Sequence, residues 1–425
     1  MSTAVTVRSD PRGRIFVDPS EYGNPVRWQR VASELRREAP VVRVEAEGFV
    51  PFWAITRHAD VMSISQQNDL FLNTTDSVLI PTEVMAQNRA RGMEIKTLIH
   101  MDGAEHLAYR KLTNDWFKPA SLRAMQSTID DLATQFVDRL ANHSGEVDFA
   151  REIVMPFPLH VIMSTFGIPE EDEPLMLKLT QELFGTEDPE YSADPEQRDA
   201  AMLATMMEFG AYFNTIIEDR RTNPSSDLAS VIANGVIDGK QIGDLETMGY
   251  YLIIATAGHD TTAGSLNGGV EQLLRHPDQL EALRDQPDLI TNAVEEIIRW
   301  STPVRHFMRY ATADTEVHGT HIAAGDALLL SYFSANFDED VFEDPFRFDI
   351  TRPNAKEQIA FGWGKHHCLG SQLARMELRA FLREFTRRVE VMEITADAEW
   401  AQTTFVGGIK HLPVRYRLRP QTPLA

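Results

Sequence analysis

The sequence predicts a mainly helical protein with a minor β region. Apolar residues recur at spacings of three and four up to about residue 300, as in SLRAMQSTIDDLATQFVDRLAN and AAMLATMMEFGAYFNTIIEDRR. Strand-like stretches are few: VVRVEAEGFVPFWAIT, TEVHGTHIAAGDALLLSYF and HLPVRYRLR. They do not alternate with helices in the manner that builds a parallel sheet. No internal repeat, low-complexity tract or long Gly/Ser linker divides the chain, so residues 1–425 are expected to form a single domain.

Composition narrows the class of function. Hydrophobic residues make up 43% of the chain and charged residues 24%, as in soluble globular proteins. The formal charge is −22, from 41 Lys plus Arg against 63 Asp plus Glu. Such acidity opposes nucleic-acid binding, which needs basic surface to displace phosphate counterions. The single cysteine permits no internal disulfide and suits a reducing cytosol. The opening MSTAVTVRSDPRGRIF lacks the apolar core of a signal peptide. The most apolar run, YYLIIATAG, is far shorter than the roughly 20 residues of a membrane span. No membrane anchor and a cytoplasmic location are therefore expected.

Three stretches read as irregular: residues 70–102, GTEDPEYSADPEQ between two helices, and the Pro-broken NFDEDVFEDPFRFDITRPNAKEQ. Loops of that length inside a domain tend to be functional. Between them, Asp244 to Leu274 reads as one helix of about 46 Å, with Asp244 as N-cap. It is apolar nearly all round before residue 258, so it should cross the core. Its middle, AGHDTT, is poor in helix formers, and threonines there can bond back to the preceding turn and bend the helix. A hinge or a tight crossing would account for this. So would a proton path, with the Asp260 carboxyl and the Thr261 hydroxyl beside a buried reaction.

Glu296 and Arg299, three apart, share a helix face that also carries apolar neighbours. If the pair is buried it needs further hydrogen bonds, and Arg347 or Arg352 from the long loop could supply them. His106 and Arg110 stand at i and i+4, as a surface pair or as a cationic grip for a carboxylate.

The lone cysteine, Cys368, sits in FGWGKHHCLG. Alone it could be a structural thiol, a nucleophile, a member of a metal cluster or a thiolate ligand to haem iron. Adjacent residues point in different directions, which disfavours HHC as a cluster on one ion. Gly364 and Gly370 favour the haem ligand, because glycine lets a flat macrocycle approach the backbone and permits positive φ. The helical LGSQLARMELRAFLREFTRRV follows, so the sulfur would sit at a helix N-terminus that stabilises its anion.

FGWGKHHCLG, AGHDTT and Glu296-x-x-Arg299, in this order and spacing, resemble the cytochrome P450 family over essentially the whole chain. The ligand-loop signature is matched at Phe361, Gly364, Cys368 and Gly370. The resemblance implies the P450 fold, a triangular prism enclosing haem b, with O2 as co-substrate. It implies Cys368 as the iron ligand, Phe361 packed by the ligand loop, and Asp260 and Thr261 in oxygen activation. Glu296, Arg299 and a loop arginine, best matched by Arg352, would stabilise the fold near the haem. His106, Arg110, Arg309 and His366 would bind the haem propionates; His367 is given no role.

The likeness to bacterial members further implies electrons from a 2Fe-2S ferredoxin with its NAD(P)H-dependent reductase, and a monomer. A basic stripe of Arg375, Arg379, Arg383 and Arg387, joined by Lys111, Lys118 and Lys365, suits an acidic ferredoxin; a solvated face paired with Glu377 and Glu384 is the alternative. The pocket is expected to draw on Leu79, Ile80, Met85, Phe184, Ala257, Gly258, Val304, Phe405 and Val406, which implies a small hydrophobic substrate. The segments AGHDTT, GTEDPEY and FVGGIKHLPV are similar to members that hydroxylate monoterpenoids. A monoterpenoid or alkyl-aromatic C–H bond is thus ranked ahead of steroid or branched-lipid hydroxylation. A non-catalytic haem sensor is the rival from another class, and the acid–threonine pair argues against it.

Overall fold

The computed structural model describes residues 6–73, 76–90, 96–185, 187–191 and 198–420, excluding the side chains of Asn88, Phe184, Arg198 and Asp199. Helices dominate the described residues. The expected amphipathic segments form helices Pro119–Asp138 and Arg198–Thr222. In the first, Ile129, Leu132, Ala133, Phe136 and Val137 face inward at helical spacing. They join the main core with Phe149, Phe157, Leu266, Val270, Phe381 and Phe385. That core packs Pro119–Asp138, Asp260–Arg275, Ile290–Ser301 and Ser371–Arg388 together.

The β region is larger than its sequence signal. A five-stranded sheet runs Val41–Val44, Phe52–Ile55, Ala327–Ser331, His306–Ala311, Phe71–Leu72. Only the pairing of Ala327–Ser331 with Phe52–Ile55 is parallel. Strand His306–Ala311 was not among the strand-like stretches read from sequence; the preceding helix stops at Ser301, and Thr302 takes φ +33°. Pro303 then bars a return to helix. A second sheet joins Val389–Ile394, Pro413–Leu418 and Glu146–Asp148. The stretch from 70 to 102 is not wholly irregular, since Thr82–Ala90 is helical. The long segment from residue 336 to 358 is irregular, as its prolines predict, apart from one short turn of 3-10 helix at Ala355–Glu357.

The long central helix is broken, contrary to the sequence reading. Asp244–Ala257 and Asp260–Arg275 are separate helices, and Gly243, not Asp244, is the N-cap. The break spans Gly258 and His259, which remain right-handed but, at φ −83°, ψ −15° and φ −100°, ψ −74°, depart from regular helix values. Thr261 Oγ1 donates to the Ala257 carbonyl at 2.8 Å across the break, so a side chain caps a carbonyl there. The crossing is tight at Gly258, where a Cβ would lie 3.0 Å from the Ile162 side chain.

Candidate functional site

The ligand loop is a tight hairpin leading into the Ser371–Arg388 helix. The Cys368 amide donates to the Phe361 carbonyl at 2.9 Å, closing the loop on itself. Gly362 and Gly364 adopt φ +70° and +74°. At Gly364 a Cβ would lie 2.2 Å from the Ser65 carbonyl oxygen, so the residue type is fixed by both φ and close approach. Gly370 is not at positive φ: it caps the helix at φ −82°. The Arg375 guanidinium covers the Phe361 ring at 4.5 Å, which holds the loop against the helix.

Cys368 keeps an accessible surface, but protein surrounds it at longer range, and burial pushes its thiol up. The backbone N–H groups of Gly370 and Ser371 and the charges of Arg110 and Arg375 pull the other way. A thiol so placed favours its anion once a cation coordinates it.

Around the loop the four expected propionate binders assemble. The rings of His106 and His366 stack with centroids 4.1 Å apart. Arg110 Nη2 donates to the His367 carbonyl at 2.7 Å. Arg309 is buried, with Nη1 on the Met308 carbonyl at 2.7 Å and Nε without an acceptor. Burial, then the charges of His366 and Arg110, lower the His106 ring to about 4. Clustered donors with an orphaned guanidinium nitrogen fit the carboxylates of a propionate-bearing porphyrin. Sequence reasoning missed Asp102, 3.5 Å from His366 Nε2, and Tyr332, which acts on Arg309. Asp102 stands immediately before the Gly103–Thr113 helix and could have been read as its cap.

Glu296 and Arg299 are fully buried, and Arg352, not Arg347, completes the set. Arg347 is two-thirds exposed and leans towards Asp349.

Across the core, Asp260 and Thr261 open the second half of the broken helix. Burial raises the Asp260 carboxyl and the charge of His259 offsets part of the rise. Of the expected pocket residues, Leu79 is buried and its amide donates to His306 Nε2 at 3.1 Å. Val304 bridges Val406, and the Phe405 ring lies 5.4 Å from Phe307 and 5.7 Å from His306. Ala257 and Gly258 end the first half-helix, and Ile80 is half-buried. The side chain of Phe184 lies outside the described residues. His306, within the stretch 304–307 expected to line the pocket, belongs with this wall.

The expected basic stripe is partly consumed. Arg375 pairs with Glu295 at 2.6 Å and Arg387 with Glu384 at 2.5 Å. Glu377 points inward instead of pairing on the surface, and burial raises its carboxyl well above the usual range. Arg383, Lys118 and Lys365 stay about half exposed or more, although each also stands beside a carboxylate, of Asp130, Asp115 and Asp69 in turn.

The cytochrome P450 family profile matches residues 47–416, and the chain belongs to the cytochrome P450 family. It is 43% identical to cytochrome P450-terp of a Pseudomonas species over 90% of this chain and 92% of that one. It is 32% identical to the linalool 8-monooxygenase of Pseudomonas putida over 90% of this chain and 94% of the other. It is 30% identical to a steroid C26-monooxygenase of Rhodococcus jostii over 98% of this chain and 87% of the other. Among solved structures, a P450 from Novosphingobium aromaticivorans superposes with a TM-score of 0.89 at 40% identity, covering 96% of this chain and 98% of that one. The protein is thus a P450 monooxygenase that binds haem b through a cysteine thiolate and uses O2. Among the described residues no helix is long and apolar enough to cross a membrane.

Proposed function

We propose that this P450 hydroxylates a C–H bond of a monoterpenoid or alkyl-aromatic substrate, using two electrons from a 2Fe-2S ferredoxin. One observation carries the substrate class: the 43% identity to P450-terp spans nine-tenths of both chains, against 30–37% for steroid C26-monooxygenases. A cytoplasmic monomer with one domain is part of the same reading.

In this reading Cys368 holds the iron, and His106, Arg110, Arg309 and His366 hold the propionates. Bound haem supplies thiolate-assisted activation of O2. Phe361, Gly364 and Gly370 shape the loop that presents the sulfur. Leu79, Ile80, Val304, Phe405 and Val406 hold an apolar substrate and exclude water. Asp260 holds a proton at its carboxyl and Thr261 passes it inward at Oγ1. Lys118 and Lys365 with Arg383, exposed though each pairs with a neighbouring carboxylate, would exchange those partners for the acidic groups of a ferredoxin.

A panel of monoterpenoid alcohols, alkylbenzenes and steroids, added to the ferric holoprotein, tests the substrate class. Monoterpenoids or alkylbenzenes should convert low-spin iron to high spin. Conversion by steroids alone would replace this reading with the second one, steroid or branched-lipid hydroxylation, which the 30–37% identities to steroid C26-monooxygenases and the 32% identity to a methyl-branched lipid omega-hydroxylase support.

A further inference from the structure

Residues 187–191 form a tight turn beside the end of helix Glu173–Phe184. The Asp188 amide donates to the Gly185 carbonyl at 2.9 Å, and the Tyr191 amide to the Asp188 carbonyl at 3.2 Å. Three acids of this turn reach the hairpin of residues 399–411. Asp188 is fully buried. Its Oδ2 accepts from the Gln402 amide at 2.8 Å, and its Oδ1 from Lys410 Nζ and the Glu190 amide, both at 2.9 Å. Glu187 Oε2 accepts from the Thr404 amide at 2.6 Å and from the Thr404 hydroxyl at 3.0 Å. Glu190 stands 2.9 Å from Lys410 Nζ.

The anchored residues, Gln402, Thr404 and Lys410, flank Phe405 and Val406. The same stretch is also bonded through its backbone to the segment before strand His306–Ala311. The Arg305 amide donates to the Phe405 carbonyl at 2.8 Å, and the Gly407 amide to the Pro303 carbonyl at 2.9 Å. One cavity is lined by Gln181 and Gly185 from the helix end and by Thr403, Val406 and Gly407 from the hairpin. The spacing of the two elements therefore sets the room beside Val406. A buried carboxylate with every bond made holds its partners in one arrangement. Without it the backbone bonds remain, so the hairpin should shift and not unfold.

We propose that Asp188, helped by Glu187, is a positioning residue: it fixes where Phe405 and Val406 stand, and so which C–H bond of an apolar substrate is presented to the iron. The acids act through the hairpin, as supporting groups do for a wall that touches substrate. The inference rests on Phe405 and Val406 as pocket wall, and Phe405→Ala tests that separately.

Phenyldiazene maps the space over the haem of the ferric holoprotein without the natural substrate. The phenyl group it delivers to the iron moves, on oxidation with ferricyanide, to the pyrrole nitrogens with free room above them. Phe405→Ala marks the pyrroles that the wall covers. In Asp188→Ala the share of phenyl on those same pyrroles should rise at least about twofold, because small displacements of a wall redirect what binds against it. A pattern unchanged in Asp188→Ala, whatever the loss of stability, would make the acid a purely structural clamp and overturn the proposal. A pattern unchanged in Phe405→Ala would overturn the pocket wall, and the inference with it. Should Asp188→Ala fail to fold, Glu187 decides. Glu187→Gln can keep both bonds, because the Thr404 hydroxyl can turn to accept, and should give the wild-type pattern. Glu187→Ala should move the pattern towards that of Phe405→Ala. Equal patterns in the two Glu187 variants would overturn the proposal.

Discussion

Arg352 Nε stands 3.0 Å from Glu296 Oε2, although the two residues are 56 positions apart. Arg299 Nε bonds the same oxygen at 2.7 Å, and the Asp349 amide donates to Oε1 at 3.0 Å. The remaining guanidinium nitrogens of Arg352 donate to the carbonyls of Glu343, Asp344 and Arg347. Arg299 Nη1 takes the Asn336 carbonyl. One buried carboxylate thereby ties helix Ile290–Ser301 to the irregular segment that leads to the ligand loop. Buried charges are tolerated here because every bond is made.

Glu296→Ala should accordingly destabilise the protein by about 3–5 kcal/mol, because it strands two buried guanidinium groups. Urea unfolding of the variant checks this. A loss below about 1 kcal/mol would mean that the set behaves like a surface pair.

Gly364→Ala forces a Cβ onto the Ser65 carbonyl at positive φ and should lower the haem-to-protein ratio sharply. A ratio close to wild type would contradict the geometry.

Thr261→Ala should uncouple the reaction. NAD(P)H oxidation should continue in the presence of partner proteins, while product per NAD(P)H falls by roughly tenfold or more. Retained coupling would remove Thr261 from proton delivery.

His411 provides a pH test of the C-terminal strands. Burial opposes its charge, but bonds to Asp148 and then Glu190 outweigh it, and the ring's pKa is raised. A raised folded-state pKa stabilises fully below the unfolded histidine value of about 6.5 and loses that effect as pH rises through the folded value. The stability gap between wild type and His411→Asn should therefore be wider at mildly acidic pH than at alkaline pH. A gap independent of pH would show that the ring acts without its charge.

Legibility in the sequence followed locality. Cys368, Phe361 and Gly364 act within one hairpin of ten residues, so their spacing carries the geometry. The Glu296–Arg299 pair was visible as a helix face, and its third member came down to two arginines because the loop bends back on itself. The break at Gly258 and His259 was signalled by weak helix formers, but propensity cannot tell a bend from an interruption. Strand His306–Ala311 was hidden because its partners, Ala327–Ser331 and Phe71–Leu72, lie far from it in sequence. Asp102 acts through a long-range contact with His366 and left no local mark. The inward turn of Glu377 was readable but went unread: its face neighbours at i−4, i+3 and i+4 are the apolar Leu373, Ala380 and Phe381.

The central claim is that the Cys368 sulfur is the axial bond between this chain and iron. Carbon monoxide added to the dithionite-reduced holoprotein measures it most directly. The wild type should give the strongly red-shifted Soret band of thiolate ligation, and Cys368→Ser should lose that band. A wild-type spectrum without the shift, or a Cys368→Ser spectrum identical to wild type, would contradict the account.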